Sequence, residues 1–98
     1  MTITYKLKQA YEAERSPAVC LGHGDRTAYV LTDEAIEALR TTLGVSLCGD
    51  YDVTLNVFAD GYANLMRLGY SNVREEFFEK EVHRFTKEEL AKITLEWD

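Results

Sequence analysis

Apolar and polar residues alternate over residues 53–57, which is the pattern of a strand with one buried face. Asp60-Gly61 follows, a dipeptide that hairpin turns favour, so the sequence predicts a β-hairpin over residues 51–68. A helix beginning at Asp60 is the competing interpretation, and Gly61 disfavours it. The register that gathers the apolar side chains of both arms on one face pairs Val53 with Leu68, Leu55 with Met66 and Val57 with Asn64.

A second hairpin is predicted over residues 18–31. Residues 18–21 and 27–31 favour extended structure, and Gly22-His23-Gly24-Asp25 between them is a turn signal. Residues 3–8 alternate in the same way and predict a further strand, although their apolar positions also fit one face of a helix.

Helices are predicted to begin after two threonines. Thr32 can cap a helix over residues 33–43, which Gly44 would end. Thr86-Lys87-Glu88-Glu89 has the spacing of a capping box and predicts a last helix over residues 87–95.

Two interpretations stay open for the segment before that helix. The apolar spacing of residues 72–82 fits a third helix, whereas residues 81–85 alone would serve as a strand. The elements together predict one α+β domain over residues 1–98. In it, an antiparallel sheet made from the hairpins at 18–31 and 51–68 packs against two or three short helices.

Composition and charge narrow the function classes. The 98 residues suffice for one hydrophobic core, and 17 acidic against 11 basic side chains give a net charge of −6. An acidic surface repels phosphates and anionic lipids, so we expect no direct nucleic-acid binding and no membrane association. No apolar run reaches the roughly 20 residues of a membrane span, no secretory signal is visible, and two cysteines cannot form a disulfide framework. We therefore expect a cytoplasmic protein.

The residues that could ligate a transition metal or act as thiol nucleophiles are few: Cys20, His23, Cys48 and His83. They lack the paired spacing of compact zinc modules, and no nucleophile motif surrounds either cysteine. No phosphate-binding glycine fingerprint is present. We expect no metal, no cofactor and no catalytic site, so an enzyme or zinc module is the last of three functional hypotheses.

Carboxylates lie beside aromatic residues at two places in the sequence. The candidate partner-binding residues are Glu75, Glu76, Glu79 and Glu81, around Phe77 and Phe78, together with Asp50, Tyr51 and Asp52. One interpretation is a solvated charged face over core phenylalanines. The other is a recognition surface, where aromatic side chains anchor and carboxylates steer toward a basic partner.

In size, acidity and lack of a catalytic motif, the chain resembles small phage-encoded proteins that block host defence, including anti-CRISPR and antirestriction proteins. The likeness is one of type and covers no motif, so it carries over no residue. It implies a viral inhibitor, and our first hypothesis is a non-catalytic protein that acts stoichiometrically on a larger basic protein or nucleoprotein complex. The second hypothesis is a structural or accessory subunit that self-associates through its sheet, for instance as a homodimer.

Overall fold

The computed structural model describes residues 2–13, 24–45 and 53–98. In chain order the elements are β1 (Ile3–Ala13), β2 (Arg26–Leu31), α1 (Asp33–Leu43), β3 (Val53–Phe58), β4 (Ala63–Ser71), β5 (Glu76–Arg84), α2 (Lys87–Ala91) and β6 (Ile93–Trp97). Within these ranges the strands form one six-stranded sheet in the order β5-β4-β3-β2-β1-β6. The predicted α+β class is confirmed. The predicted purely antiparallel sheet was wrong, because β6 runs parallel to β1 and makes the sheet mixed.

The hairpin of β3 and β4 is confirmed, but its register differs by one residue from the prediction. The observed pairs are Val53 with Arg67, Leu55 with Leu65 and Val57 with Ala63, where the sequence predicted Leu68, Met66 and Asn64. The cause is the turn: the Phe58 N–H donates to the Tyr62 carbonyl at 2.7 Å, and Gly61 has a φ of 90°. Such a three-residue loop ends on a left-handed residue, whereas the prediction assumed a two-residue turn. The shift moves Leu65 into the core and Met66 onto the other face.

Of the hairpin predicted over residues 18–31, only the second arm falls within the described residues. This arm is β2, which pairs antiparallel with β1 on one side and with β3 on the other. The first arm and the start of its turn lie outside the described residues.

Helix α1 has the predicted bounds. The Thr32 hydroxyl accepts a hydrogen bond from the Ala35 N–H at 3.3 Å, and Gly44 ends the helix with a φ of 67°. Two of its apolar side chains, Ala35 and Leu39, are buried against the sheet.

Helix α2 begins where the sequence predicts and ends sooner. Its capping box joins Thr86 and Glu89 reciprocally. The prediction of a helix through residue 95 was wrong, because the helix ends at Ala91 and Ile93–Trp97 form β6. The residues after Ala91 alternate apolar and polar side chains, as a strand does, and they pair with β1 at the edge of the sheet.

A helix over residues 72–82 was also wrong. Residues 72–75 form a turn, and β5 then pairs antiparallel with β4 along its whole length. The alternative interpretation of residues 81–85 as a strand was closer, and the strand begins five residues earlier. Gly69 supports this pairing, because a Cβ atom there would lie 2.6 Å from Cζ of the Phe78 ring.

The two faces of the sheet are both partly buried. On one face α1 covers the hydrophobic core, which consists of Tyr5, Leu7, Leu31, Ala35, Leu39, Val53, Leu55, Ala63, Leu65 and Phe85. The opposite face, called here the Arg26 face, buries Arg26, Ala28, Asn56, Phe58, Asn64 and Met66. Within the described ranges, neither helix is long and apolar enough to cross a membrane.

Candidate functional site

The four glutamates singled out in the sequence divide into two pairs. Glu75 and Glu76 lie exposed at the turn between β4 and β5. Glu79 and Glu81 lie further along β5, half-buried on the Arg26 face. The four side chains therefore do not form one continuous acidic surface.

Glu79 is the ion-pair partner of Arg26. Nη1 and Nη2 of Arg26 donate to its two carboxylate oxygens at 3.0 and 2.9 Å. The Arg26 side chain is 7% exposed and that of Glu79 is 21% exposed. The pair joins β2 to β5 across the two strands between them, with Met66 Sδ 3.1 Å from Nη1. Glu79 thus neutralises a buried cation, and it supports the sheet.

Glu81 belongs to a hydrogen-bonded group at the other end of β5. Its carboxylate accepts bonds from the Tyr62 hydroxyl and from Nδ2 of Asn64, the latter at 3.1 Å. Nε of Arg84 donates to the Tyr62 oxygen at 2.9 Å. Burial and then the bond to Glu81 raise the pKa of Tyr62, because both favour the neutral phenol. Glu81 is therefore also engaged inside the molecule.

Beneath these pairs lie two asparagines that face each other across β3 and β4. Asn56 and Asn64 are fully buried and are register partners. Among the described residues, their Oδ1 atoms and Nε of Arg26 have no hydrogen-bond partner. Buried polar atoms without partners destabilise a fold. The stability of the Arg26 face therefore depends on the charged hydrogen bonds that its side chains do form.

The exposed end of the β4–β5 hairpin has a different character. Val73 is 95% exposed, Phe77 is 68% exposed and Tyr70 is 39% exposed. The rings of Tyr70 and Phe77 face each other across the hairpin, edge to face, with centroids 5.0 Å apart. The apolar cluster is the Tyr70–Phe77 ring pair, because Val73 is almost fully exposed. We call this pair, together with Val73 and the flanking carboxylates of Glu75 and Glu76, the β4–β5 tip.

The tip is an ordered turn. Ser71 Oγ accepts a hydrogen bond from the Arg74 N–H at 3.2 Å, and Glu75 has a positive φ of 54°. Nη1 of Arg74 lies 3.9 Å from the Glu76 carboxylate, and both side chains are more than half exposed. The apolar side chains are therefore presented on a defined backbone.

The remaining candidate residues give no catalytic arrangement among the described residues. Asp50, Tyr51 and Asp52 lie outside the described residues, as do Cys20, His23 and Cys48. His83 Nε2 is 3.1 Å from Oε2 of Glu89, and its ring packs edge-on against Phe85. In the three described ranges, no group of three or more His, Cys, Asp or Glu side chains is placed to hold a metal ion.

An open cleft of about 440 Å³ lies where β2 begins. Its described lining includes the acidic residues Glu12 and Asp25, the buried Arg26, and Phe58. None of the described lining residues is a His or Cys, so the described part of the cleft contains no thiol or imidazole group.

Sequence reasoning missed Arg26, Tyr70 and Val73. Arg26 and Glu79 are 53 positions apart, and no local pattern links them. The position of Val73 was missed because the helix predicted over residues 72–82 gave it a buried face, whereas the structure places it in the turn at residues 72–75.

Comparisons with known proteins gave no match: no family model, no curated protein and no solved structure is similar to this chain at a significant level.

Proposed function

We propose that this chain is a non-catalytic binding protein that recognises a larger partner through its β4–β5 tip. The observation that carries the proposal is the exposure of Val73 and Phe77 beside Tyr70, on one ordered turn. Single exposed apolar residues are common, whereas a cluster that includes aromatic rings is typical of interaction sites. Rigid aromatic side chains also bring large contact area with few torsions to immobilise.

The charge around the tip indicates the chemistry of the partner. Glu75 and Glu76 flank the apolar cluster, and the whole chain carries a net charge of −6. A complementary surface would hold an apolar pocket rimmed by Lys or Arg. Proteins that handle nucleic acids present such basic surfaces. An acidic protein that occupies one acts stoichiometrically, as the phage-encoded inhibitors that the chain resembles in type do.

Affinity capture with matched variants tests this function. Parent protein, Phe77→Ser and Tyr11→Ser are immobilised at equal density and challenged with a lysate of cells that contain the protein. Tyr11 is the control because it is an exposed aromatic residue, 42% accessible, on β1 and away from the tip. Loss of an aromatic anchor costs at least 2 kcal/mol, so retention of a specific partner by Phe77→Ser should fall about 30-fold.

Variants that remove charge from the tip test whether its carboxylates speed association with a basic partner. The double variant Glu75→Gln/Glu76→Gln should slow association with the captured partner, and added salt should slow the parent in the same way. Two outcomes contradict the proposal. Either the parent retains no partner stoichiometrically, or Phe77→Ser retains it as well as Tyr11→Ser does.

A further inference from the structure

The two edges of the sheet differ in how they are protected. β5, the first edge, has a register shift opposite Leu65 and Met66 and carries Glu79, Lys80 and Glu81 in succession. Bulges and charges of this kind keep natural edge strands from pairing with other chains. β6, the second edge, pairs with β1 in unbroken register, and its one charged residue, Glu96, is bound to Lys6 at 2.9 Å. Within the described residues, the β6 edge has neither a bulge nor an unpaired charge to protect it.

The free peptide groups of this edge can be assigned. The Ile3 N–H donates to the Lys92 carbonyl at 2.6 Å, and the Asp98 N–H donates to the Leu7 carbonyl at 2.9 Å. Peptide groups alternate in direction along a strand, so the even-numbered residues of this segment face β1. Those of Ile93, Leu95 and Trp97 point outward, and no strand among the described residues pairs with them.

The apolar side chains at this edge are incompletely covered. In register with β1, residues 93, 95 and 97 share the face of Ile3, Tyr5 and Leu7. Ile93 and Leu95 pack against the core, whereas Trp97 is 64% exposed and Ile3 is 37% exposed. A strand added beside β6 would cover Trp97.

We infer that a second copy of this chain pairs its β6 with this one, antiparallel and centred on Leu95. In that register Leu95 lies opposite its own copy, Ile93 lies opposite Trp97, and Thr94 lies opposite Glu96. All outward peptide groups then form reciprocal hydrogen-bonded pairs. No like charges face each other, and the apolar side chains of both copies stay on one face. The contact is isologous, because the same strand serves both partners.

The register shifted by one residue leaves more of the outward peptide groups of β6 without hydrogen bonds. Centring the pair on Thr94 would place Trp97 opposite Ala91, which lies inside α2 and cannot continue a strand. Fewer of the outward peptide groups would then be paired. A five-residue strand buries little surface, so this dimer belongs to the weak class of interfaces and forms in proportion to concentration.

Sedimentation velocity over a concentration series tests this homodimer, with protein concentrations up to about 1 mM. We expect a monomer–dimer equilibrium that Trp97→Ser weakens about tenfold or more. Phe77→Ser, at the opposite edge, should leave the equilibrium unchanged. This control separates the dimer from the proposed partner recognition, so either proposal can fail alone.

Introducing a charge at residue 94 tests the register of the proposed dimer. Thr94→Lys places a lysine opposite Glu96 of the partner and should strengthen the dimer about twofold to fivefold, whereas Thr94→Glu should weaken it by a similar factor. In the register centred on Thr94, two lysines would face each other and the Lys variant would weaken association instead. A parent protein that stays monomeric throughout, or a dimer unaffected by Trp97→Ser, overturns the inference. A dimer weakened by Thr94→Lys overturns its register.

Discussion

Removal of the Glu79 carboxylate should destabilise the protein far more than removal of a carboxylate three residues away. In Glu79→Ala the buried guanidinium of Arg26 loses both of its charge-assisted hydrogen bonds. Its Nε has no hydrogen-bond partner in the described part of the chain, and the sulfur of Met66 is a weak acceptor. Among the described residues Glu79 is the ion-pair partner of Arg26, so the variant leaves a buried cation without that partner.

The magnitude follows from burial. Removing one partner of a buried ion pair costs about 3–5 kcal/mol. Glu79 is 21% exposed, so water can reach part of the vacated space and hydrate Arg26. We expect a loss of about 2–4 kcal/mol in the free energy of unfolding, out of the roughly 5–15 kcal/mol typical of such domains. At roughly 4–8 °C per kcal/mol, the melting temperature falls by about 8–30 °C.

Urea denaturation followed by circular dichroism measures the effect, with two companion variants. Glu76→Ala is the matched control, because Glu76 starts the same strand with its side chain 58% exposed and should change stability by less than about 0.5 kcal/mol. Arg26→Met/Glu79→Leu replaces both charges with apolar groups and should recover most of the loss. The reasoning fails if Glu79→Ala is as stable as Glu76→Ala. It fails equally if the double variant is no more stable than Glu79→Ala.

Other variants test the turn, the α2 cap and the half-buried phenol of Tyr62. Gly61→Val should cost about 1–2 kcal/mol in urea denaturation, because a β-branched residue resists the positive φ at this position, and Gly61→Asn should cost less. The bond from the Thr86 N–H, followed by His83, lowers the pKa of Glu89 below its ordinary value of 4.5. Ionised Glu89 therefore stabilises the fold above that pH, and the stability difference between parent and Glu89→Gln should vanish as the pH falls through the lowered pKa. The raised pKa of Tyr62 gives the opposite pH dependence. The neutral phenol stabilises the fold below pH 10.0, and this stabilisation is lost as the pH rises through the folded-state pKa. Ultraviolet titration of parent against Tyr62→Phe should place this phenol's ionisation above pH 10.0, and a step at or below that value contradicts the assignment.

The features predicted correctly from the sequence are those encoded locally. The caps of α1 and α2 depend on residues three positions apart, so Thr32 and the Thr86 box were visible without any fold. The β3–β4 hairpin was visible for the same reason. Its register was missed because Asp60-Gly61 fits both a two-residue turn and the end of a three-residue loop, and only the paired backbone distinguishes them.

The errors lie where distant segments decide the structure. The apolar positions of residues 72–85 satisfy helical and extended spacing alike, and pairing with β4 determines which one forms. For residues 93–97 the alternation of apolar and polar side chains was a readable strand signal that the strong α2 start obscured. The burial of Glu79 could not be predicted, because it depends on Arg26 reaching across the sheet. The separation of the four glutamates could not be predicted either, because Glu81 is engaged by Tyr62 and Asn64.

The pairing of β1 with β6 also sets the order in which the sheet can be completed. These strands contain residues about 90 positions apart in the chain, as in the contact of Lys6 with Glu96. A ribosome adds roughly 5–20 residues per second, so about 4.5–18 s separate the synthesis of the two paired residues. During that interval β1 can pair with β2 and has no β6 beside it. Closure of so long a loop is entropically slow, and the outer edge of β1 is exposed until it occurs. The synthesis of β6, the later strand of this pair, thus limits how long the outer edge of β1 remains open to mispairing in a nascent chain.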